Sequence, residues 1–315
     1  MVKAVLHFRA SAGFRARLAE QETDWLSIAV VDESDDAGLA REMQDADVLL
    51  HVLKRVTAGM IAAAPRLRLI QKIGVGVNTI DLETAKARGI AVANMPGTNS
   101  RAVAELTLLL MMASLRRLTE LHAATQAGQG WVLDPDLYDR VGEVAGRTIG
   151  LVGFGAIPRL LTPVLLALGA RVIYTARQPK ADAGIAWRPL PDLLAEAQVV
   201  SLHIPQTLET ERLIDAAAIA RMQPGAVLIN TARGGLVDEP ALIEALQCGR
   251  LGAAGLDVFA EEPTATGNPL LKLPNVVVSP HTAWLTPETL NRSLGIAVEN
   301  CRRLRDGENL LHRVQ

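Results

Sequence analysis

Short apolar, β-branched runs alternate along the chain with longer stretches whose apolar positions recur at helical spacing. One series of runs falls at residues 4–8, 27–31, 48–51, 69–73 and 90–93, and a second at 148–152, 171–174, 199–203, 226–230, 255–258 and 276–279. Few charges interrupt them, as expected of strands covered by helices on both faces. Strand–helix alternation of this kind predicts an α/β architecture with parallel sheets. Between the two series the pattern predicts one long helix over residues 101–126, opened by the turn-forming Pro96-Gly97-Thr98-Asn99-Ser100, and after the last strand another over 287–305. The arrangement is therefore discontinuous. Residues 1–100 plus 285–315 make one lobe and residues 101–284 the other, and two chain crossings predict a cleft that can close by hinging.

Composition narrows the function classes. The chain has 315 residues, 49% of them hydrophobic, and 32 Lys+Arg against 34 Asp+Glu, so it has ample core and no basic footprint for nucleic acid. The longest apolar stretch, residues 106–115, contains Thr107 and Ser114 and is far shorter than the ~20 residues a membrane span needs. Residues 2–8 read as a strand followed by Arg9, Arg15 and Arg17, not as a signal peptide. Cys248 and Cys301 have no metal-ligand spacing, so neither a metal site nor a disulfide framework is expected. These features predict a soluble cytoplasmic protein with no membrane or nucleic-acid partner.

The segment Thr148-Ile149-Gly150-Leu151-Val152-Gly153 runs as a strand into Phe154-Gly155-Ala156-Ile157-Pro158 and then into a helical pattern. Glycines at 153 and 155 permit a tight turn and a close approach to a pyrophosphate, which the following helix N-terminus would attract. Two glycines alone also fit an ordinary strand–helix turn; their placement favours a dinucleotide-binding Rossmann unit. Pro158 stands where the third fingerprint glycine belongs. Proline is tolerated in a first helical turn, so a slightly displaced helix is expected and not a lost site. Where an NAD-specific site would carry an acid after the second strand, this chain has Thr175, followed by Arg177 and Lys180. Unless those cations are simply solvated, they suit the 2′-phosphate of NADP(H), with NAD(H) as the alternative.

Three further strand ends carry candidate chemistry: Arg233 in Asn230-Thr231-Ala232-Arg233-Gly234-Gly235, Asp257 and Glu262 in residues 255–263, and His281 in Ser279-Pro280-His281. Singly, each could be a structural ion pair, a solvated carboxylate or a satisfied histidine. Jointly they suit hydride transfer to a carbonyl, which needs a proton donor, a partner for that donor and a cation for a carboxylate.

The segments Lys72-Ile73-Gly74-Val75-Gly76-Val77-Asn78, Val103-Ala104-Glu105, Leu202-His203-Ile204-Pro205, the Arg233 run with Leu236-Val237-Asp238-Glu239, and Pro280-His281 together resemble the D-isomer-specific 2-hydroxyacid dehydrogenases over nearly the whole chain. The resemblance implies two doubly wound parallel-sheet domains, a Rossmann cofactor domain inserted in a flavodoxin-like substrate domain. It implies that His281 is the acid/base, that Glu262 raises its pKa and orients it, and that Arg233 binds the carboxylate and polarises the carbonyl. The amides of Val75 and Gly76 would complete the carboxylate site. Apart from the resemblance, Leu53 and Trp284 are candidate substrate-binding residues, with Trp284 expected to narrow the pocket. On the cofactor side the resemblance implies Ala156 and Ile157 against the pyrophosphate, Ile204, Pro205, Thr231, Ala232 and Ala283 along the nicotinamide half, Asp257 on the carboxamide, and Thr107 at a phosphate.

The run from Thr175 to Pro179 is similar to that of glyoxylate/hydroxypyruvate reductases. His51 stands where phosphoglycerate dehydrogenases tend to carry an Arg for substrate phosphate. The reading is thus an NADP-dependent reductase of a small 2-keto acid such as glyoxylate or hydroxypyruvate. The alternatives are a dehydrogenase of a larger sugar or aryl 2-hydroxy acid, and a dinucleotide-sensing binding protein. Residues 127–141, with Trp131, Leu133, Leu137 and Tyr138, add apolar surface that either packs internally or, as the resemblance implies, clasps a second copy in a homodimer.

Overall fold

In the computed structural model, which describes residues 1–132 and 134–315, the strand–helix alternation resolves into two parallel sheets. They belong to two compact units, Met1–Asn99 with Leu285–Gln315, and Ser100–Trp284. In the first unit β1 (Val2–His7), β2 (Leu26–Val31), β3 (Val48–His51), β4 (Leu69–Lys72) and β5 (Ala91–Ala93) lie in the order β2-β1-β3-β4-β5, all parallel. This is the flavodoxin-like order, reversing direction between β1 and β3. The crossover helices are α1 (Ala12–Ala19), α2 (Asp36–Glu42), α3 (Ala58–Ala62) and α4 (Leu82–Ala87). Each starts where a short polar side chain can satisfy a free first-turn N–H: Ser11, Asp35, Thr57 and Asp81 all accept from the backbone three residues on.

The second unit opens with α5 (Ser100–Leu115) and α6 (Leu118–Gln126), where the sequence pattern predicts a single helix. The break is at Arg117, whose φ of 51° cannot continue a right-handed helix. Its buried guanidinium donates to the Gly252 carbonyl at 3.0 Å and pairs with Glu120 at 2.5 Å, contacts that reward the turn. Arg116-Arg117 looks like an ordinary exposed helical pair in the sequence, so nothing there signals the break.

The sheet that follows comprises β6 (Thr148–Val152), β7 (Arg171–Thr175), β8 (Ala186–Trp187), β9 (Val199–Leu202), β10 (Ala226–Asn230), β11 (Leu251–Leu256) and β12 (Val276–Val278). Its order, β12-β11-β10-β9-β6-β7-β8, is the Rossmann order with one strand added, and the direction reverses between β6 and β9. The two-residue β8 is too short to predict. β11 starts four residues before its predicted run because Gly252, Ala253 and Ala254 carry no β-branched signal. The crossovers are α7 (Ala156–Ala167), α8 (Leu190–Glu196), α9 (Ala216–Arg221) and α10 (Glu239–Gln247), and α11 (Pro287–Asp306) returns the chain to the first unit. No helix among the described residues is long and apolar enough to cross a membrane.

Candidate active site

At the reversal point of the second sheet, β6 ends in Gly153, whose φ of 102° favours glycine. A side chain there would sit 2.6 Å from the His203 carbonyl oxygen and 2.9 Å from Ile204 Cγ2, so only glycine lets the turn close on the end of β9. The Gly153 N–H donates to the Thr175 carbonyl at 2.9 Å, which ties the turn to β7. Gly155 then caps α7 with open space beside it, and the N–H groups of Ala156 and Ile157 stand in a first turn without intrahelical acceptors. This cradle fits a dinucleotide pyrophosphate. Pro158 is accommodated, buried, in the first turn of α7, where Thr162 Oγ1 donates to its carbonyl at 2.8 Å.

Beyond β7, Thr175 is buried while Arg177 and Lys180 are exposed. Asp182, the carboxylate of that loop, is engaged by Arg159 at 3.0 Å, and Arg177 has no ion-pair partner among the described residues. The Lys180 backbone N–H donates to Tyr174 Oη at 2.6 Å, which shapes the loop. Ile204 is half-buried beside the glycine turn and Pro205 is exposed next to it.

The strand ends of β10, β11 and β12 carry the reactive groups. Asn230, fully buried at the end of β10, donates through Nδ2 to the Arg233 carbonyl at 2.9 Å and accepts from the Ala232 N–H at 3.0 Å. This local bond pattern, characteristic of asparagine at turns, holds the Arg233 loop. Arg233 is half-buried, and its Nη1 donates to the Ala232 carbonyl at 2.6 Å. Burial pulls its pKa below the ordinary value, and the charge of Glu262 works against that. Gly234 lets this loop touch the next one, because a Cβ there would lie 1.9 Å from the carbonyl carbon and oxygen of Phe259.

His281 follows β12 in a left-handed conformation with φ 54°, uncommon for a residue with a side chain. Its N–H donates to the Asp257 carbonyl at 2.7 Å, and its own carbonyl accepts from Trp284 Nε1 at 3.0 Å. Its Nδ1 faces Glu262 Oε2 at 2.6 Å, while Glu262 Oε1 accepts from the Phe259 N–H at 3.0 Å. Burial pushes the Glu262 carboxyl up, but the hydrogen bond and charge of His281, the Phe259 N–H and Arg233 outweigh it and hold the pKa below the usual value. An ionised carboxylate can only accept, so Nδ1 carries the hydrogen and Nε2 is left to exchange a proton with a substrate.

Asp257 has no exposed surface. Its Oδ1 accepts from Ser279 Oγ at 2.6 Å and the Thr282 N–H at 2.9 Å, and its Oδ2 from the Ala283 N–H at 2.9 Å. Burial raises its pKa against those three bonds and the charge of His281. In the structure the carboxylate is thus the clamp of the turn that presents His281; any bond to a carboxamide would have to use the remaining acceptor position on Oδ2.

Three of the candidate site residues make contacts within the protein that the sequence did not predict. Thr107 is fully buried, with Oγ1 donating to the Val103 carbonyl at 2.7 Å and paired with Thr231 Oγ1 at 2.8 Å, so it joins α5 to the end of β10. Thr231 is committed to the same bond. Trp284 is 9% exposed and braces the His281 turn through its Nε1–H. In the other unit Val75 and Leu53 are exposed and Gly76 half-buried. His51 is buried and bonded to Thr79 Oγ1 at 2.8 Å, and burial, with the charges of Lys72 and His7, pushes its pKa down to about 2. Asn230 and Ser279 were missed as site residues. The only signal was a short polar side chain at a strand end, beside the turn it organises.

A dinucleotide cradle joined to an imidazole–carboxylate pair and a half-buried arginine defines a nicotinamide-dinucleotide-binding protein with acid/base machinery. Residues 108–283 match the family model described as D-isomer specific 2-hydroxyacid dehydrogenase, NAD binding domain. The chain is 39% identical over 294 residues to a D-3-phosphoglycerate dehydrogenase of Mycobacterium leprae, covering 90% of this chain and 54% of that protein. It is 37% identical over 286 residues to a glyoxylate reductase of Aeropyrum pernix, covering 87% and 85%. The crystal structure of the TT0316 protein from Thermus thermophilus superposes with a TM-score of 0.89 at 37% identity, covering 100% of both chains. The chain belongs to the D-isomer-specific 2-hydroxyacid dehydrogenase family. It spans about half the length of the mycobacterial phosphoglycerate dehydrogenases it matches.

Proposed function

We propose that this protein reduces a small 2-keto acid of the glyoxylate or hydroxypyruvate kind to the D-2-hydroxy acid with NADPH. The observation that carries this reading is the 2.6 Å contact between His281 Nδ1 and Glu262 Oε2 next to Arg233, on the sheet that bears the dinucleotide turn. A bound reduced nicotinamide would supply the hydride. His281 Nε2 would give its proton to the keto oxygen, Glu262 would hold the Nδ1 hydrogen and stabilise the imidazolium, and Arg233 would polarise the carbonyl. The N–H groups of Val75 and Gly76, which donate to no acceptor among the described residues, would receive the carboxylate.

The substrate reading is supported by what the first unit withholds. Where phosphoglycerate dehydrogenases tend to carry an arginine, His51 is buried and neutral, and Lys54 is engaged by Asp36 and the Glu33 carbonyl. The preference for NADPH is supported by the buried Thr175 and by Arg177, exposed and free of a carboxylate. The test is the fall of NADPH and NADH absorbance with glyoxylate, hydroxypyruvate and 3-phosphohydroxypyruvate. Preferred turnover of the phosphorylated acid would overturn the substrate reading, and full activity of His281→Gln would overturn the assigned chemistry.

A homodimer is proposed on the apolar surface of the second unit, where Trp131, Val132 and Tyr138 are 92%, 87% and 65% exposed and Leu109 and Met112 of α5 are exposed as well. Leu137 is buried, and Leu133 lies outside the described residues. Light scattering after gel filtration tests it; a monomer at micromolar concentration refutes it. Cytoplasmic residence is proposed on the two free cysteines, Cys248 and Cys301, and cell fractionation tests it.

A further inference from the structure

The turn at residues 74–76 leaves its N–H groups unpartnered among the described residues, yet both of its relevant carbonyls are tied. The Gly74 carbonyl accepts from the Met95 N–H at 2.8 Å, and the Val75 carbonyl accepts from Asn94 Nδ2 at 2.9 Å. In a planar trans peptide the N–H points opposite to the preceding C=O. Fixing the Gly74 carbonyl therefore sets the direction of the Val75 N–H, and fixing the Val75 carbonyl sets that of the Gly76 N–H. Both donors are turned away from the end of β5.

Asn94 is itself held from several sides. Its N–H donates to the His312 carbonyl at 3.1 Å, so the last residues of this sequence lie along the edge of β5, where Val314 N–H also donates to the Val92 carbonyl at 2.7 Å. The same tail is anchored by Asn300 on α11, which accepts from the Leu311 N–H at 2.7 Å and donates to Gln71 Oε1 at 2.5 Å. Gln71 and Asn300 have no exposed surface, and Gln71 Nε2 in turn donates to the Ala93 carbonyl at 3.2 Å. A buried amide network thus runs from α11 and the tail through Gln71 to the end of β5, and it terminates on the Val75 peptide.

We propose that Asn94 is a positioning residue for substrate: its amide, braced by residues 311–315 through Gln71 and Asn300, orients the Val75 and Gly76 N–H groups that receive a substrate carboxylate. This rests on the reading of that turn as the carboxylate receiver. A carboxylate held at the turn is bound equally in the ground and transition states, so weakening the hold raises KM and leaves kcat in place.

The experiment compares wild type with Asn94→Ala and with the isosteric Asn94→Asp, which sets an acceptor against a carbonyl oxygen. Loss of one such hydrogen bond predicts a roughly three- to tenfold rise in KM for the keto acid. The rise should be larger for Asp, with kcat held within roughly twofold and NADPH affinity unchanged. Amide hydrogen exchange at Met95, whose N–H is bonded to the Gly74 carbonyl, should quicken in both variants, while that of β1 and α7 stays as in wild type. Unchanged KM in both variants, or a joint fall of kcat and NADPH affinity, overturns the proposal. If wild type reduces no 2-keto acid, the functional reading fails instead, and the exchange measurement then decides: faster exchange at Met95 with β1 and α7 unchanged supports the positioning role, and unchanged exchange refutes it.

Discussion

Replacing Glu262 by Gln keeps the shape of the side chain and changes the hydrogen on one atom. The Phe259 N–H, 3.0 Å from Oε1, orients the new amide so that its oxygen faces Phe259 and its NH2 group faces His281 Nδ1, now 2.6 Å from Oε2. Nδ1 must then accept, which places the single hydrogen of the neutral imidazole on Nε2. A protonated ring would press an N–H against an N–H. Losing the charge-assisted bond costs about 1.5–3 kcal/mol, and the opposed donors add to it, so about 3 kcal/mol is expected. That corresponds to roughly a hundredfold loss of kcat/KM. Reduction and oxidation share one transition state, so both directions should fall equally at a given pH. The assay is steady-state turnover in both directions, with NADPH binding as the control for folding. Gln activity within about threefold of wild type would refute the reasoning, because packing alone would then explain the contact. Wild-type Glu262 is held below the usual carboxylate range, so it stays ionised through the neutral and mildly acidic window and is not what titrates there.

Three other outcomes are expected. Gly234→Ala places a Cβ 1.9 Å from the Phe259 carbonyl, which is backbone and cannot step aside, so it should cost at least about 3 kcal/mol of stability in thermal melts. Gly235→Ala meets only the Gln206 side chain and should be tolerated; equal effects would refute this account. Acid should weaken the first unit. The unfolded chain protonates His51 near its ordinary value of 6.5, but the folded chain resists down to about 2, so this stabilisation is present above pH 6.5 and is lost as pH falls. The loss at pH 5 is about 2 kcal/mol, readable as hydrogen exchange in β1, β3 and β4, and His51→Asn should flatten it. Finally, Arg177→Ser should weaken NADPH binding roughly 10- to 100-fold, the worth of a charge-assisted bond, and leave NADH nearly untouched; equal losses for both cofactors would sink the NADP reading.

The fold class was legible because parallel strands buried on both faces carry continuous apolar signals that helices interrupt. The signal failed where burial is achieved by small residues, as in Gly252-Ala253-Ala254, and where a tertiary contact overrides local preference, as at Arg117. The reactive groups were legible as Arg, Glu and His at successive strand ends. Their supports were not. Asn230, Ser279 and Asn94 act through one or two side-chain hydrogen bonds to groups that are distant in sequence or folded back in a turn, and no periodicity marks such a bond. The bond between Thr107 in the middle of α5 and Thr231 after β10 was unreadable for the same reason.

What converts three separated sequence positions into one site is register. Asn230 of β10 pairs with Leu256 of β11, and Leu256 pairs with Val278 of β12, so one rung of the sheet ends all three strands. Neighbouring strands stand about 4.8 Å apart, and the rung therefore delivers three loops within roughly 10 Å. Arg233, Glu262 and His281 each follow within a few residues of that rung. Asp257 sits one residue past it, in the middle strand, with acceptors to spare and no solvent to compete. From there its carboxylate fixes the turn after β12, and its backbone carbonyl takes the N–H of His281 itself. Because Glu262 arises from the same β11 loop, imidazole and carboxylate are positioned by one strand. Loosening that strand end should therefore separate the pair before it unfolds the sheet.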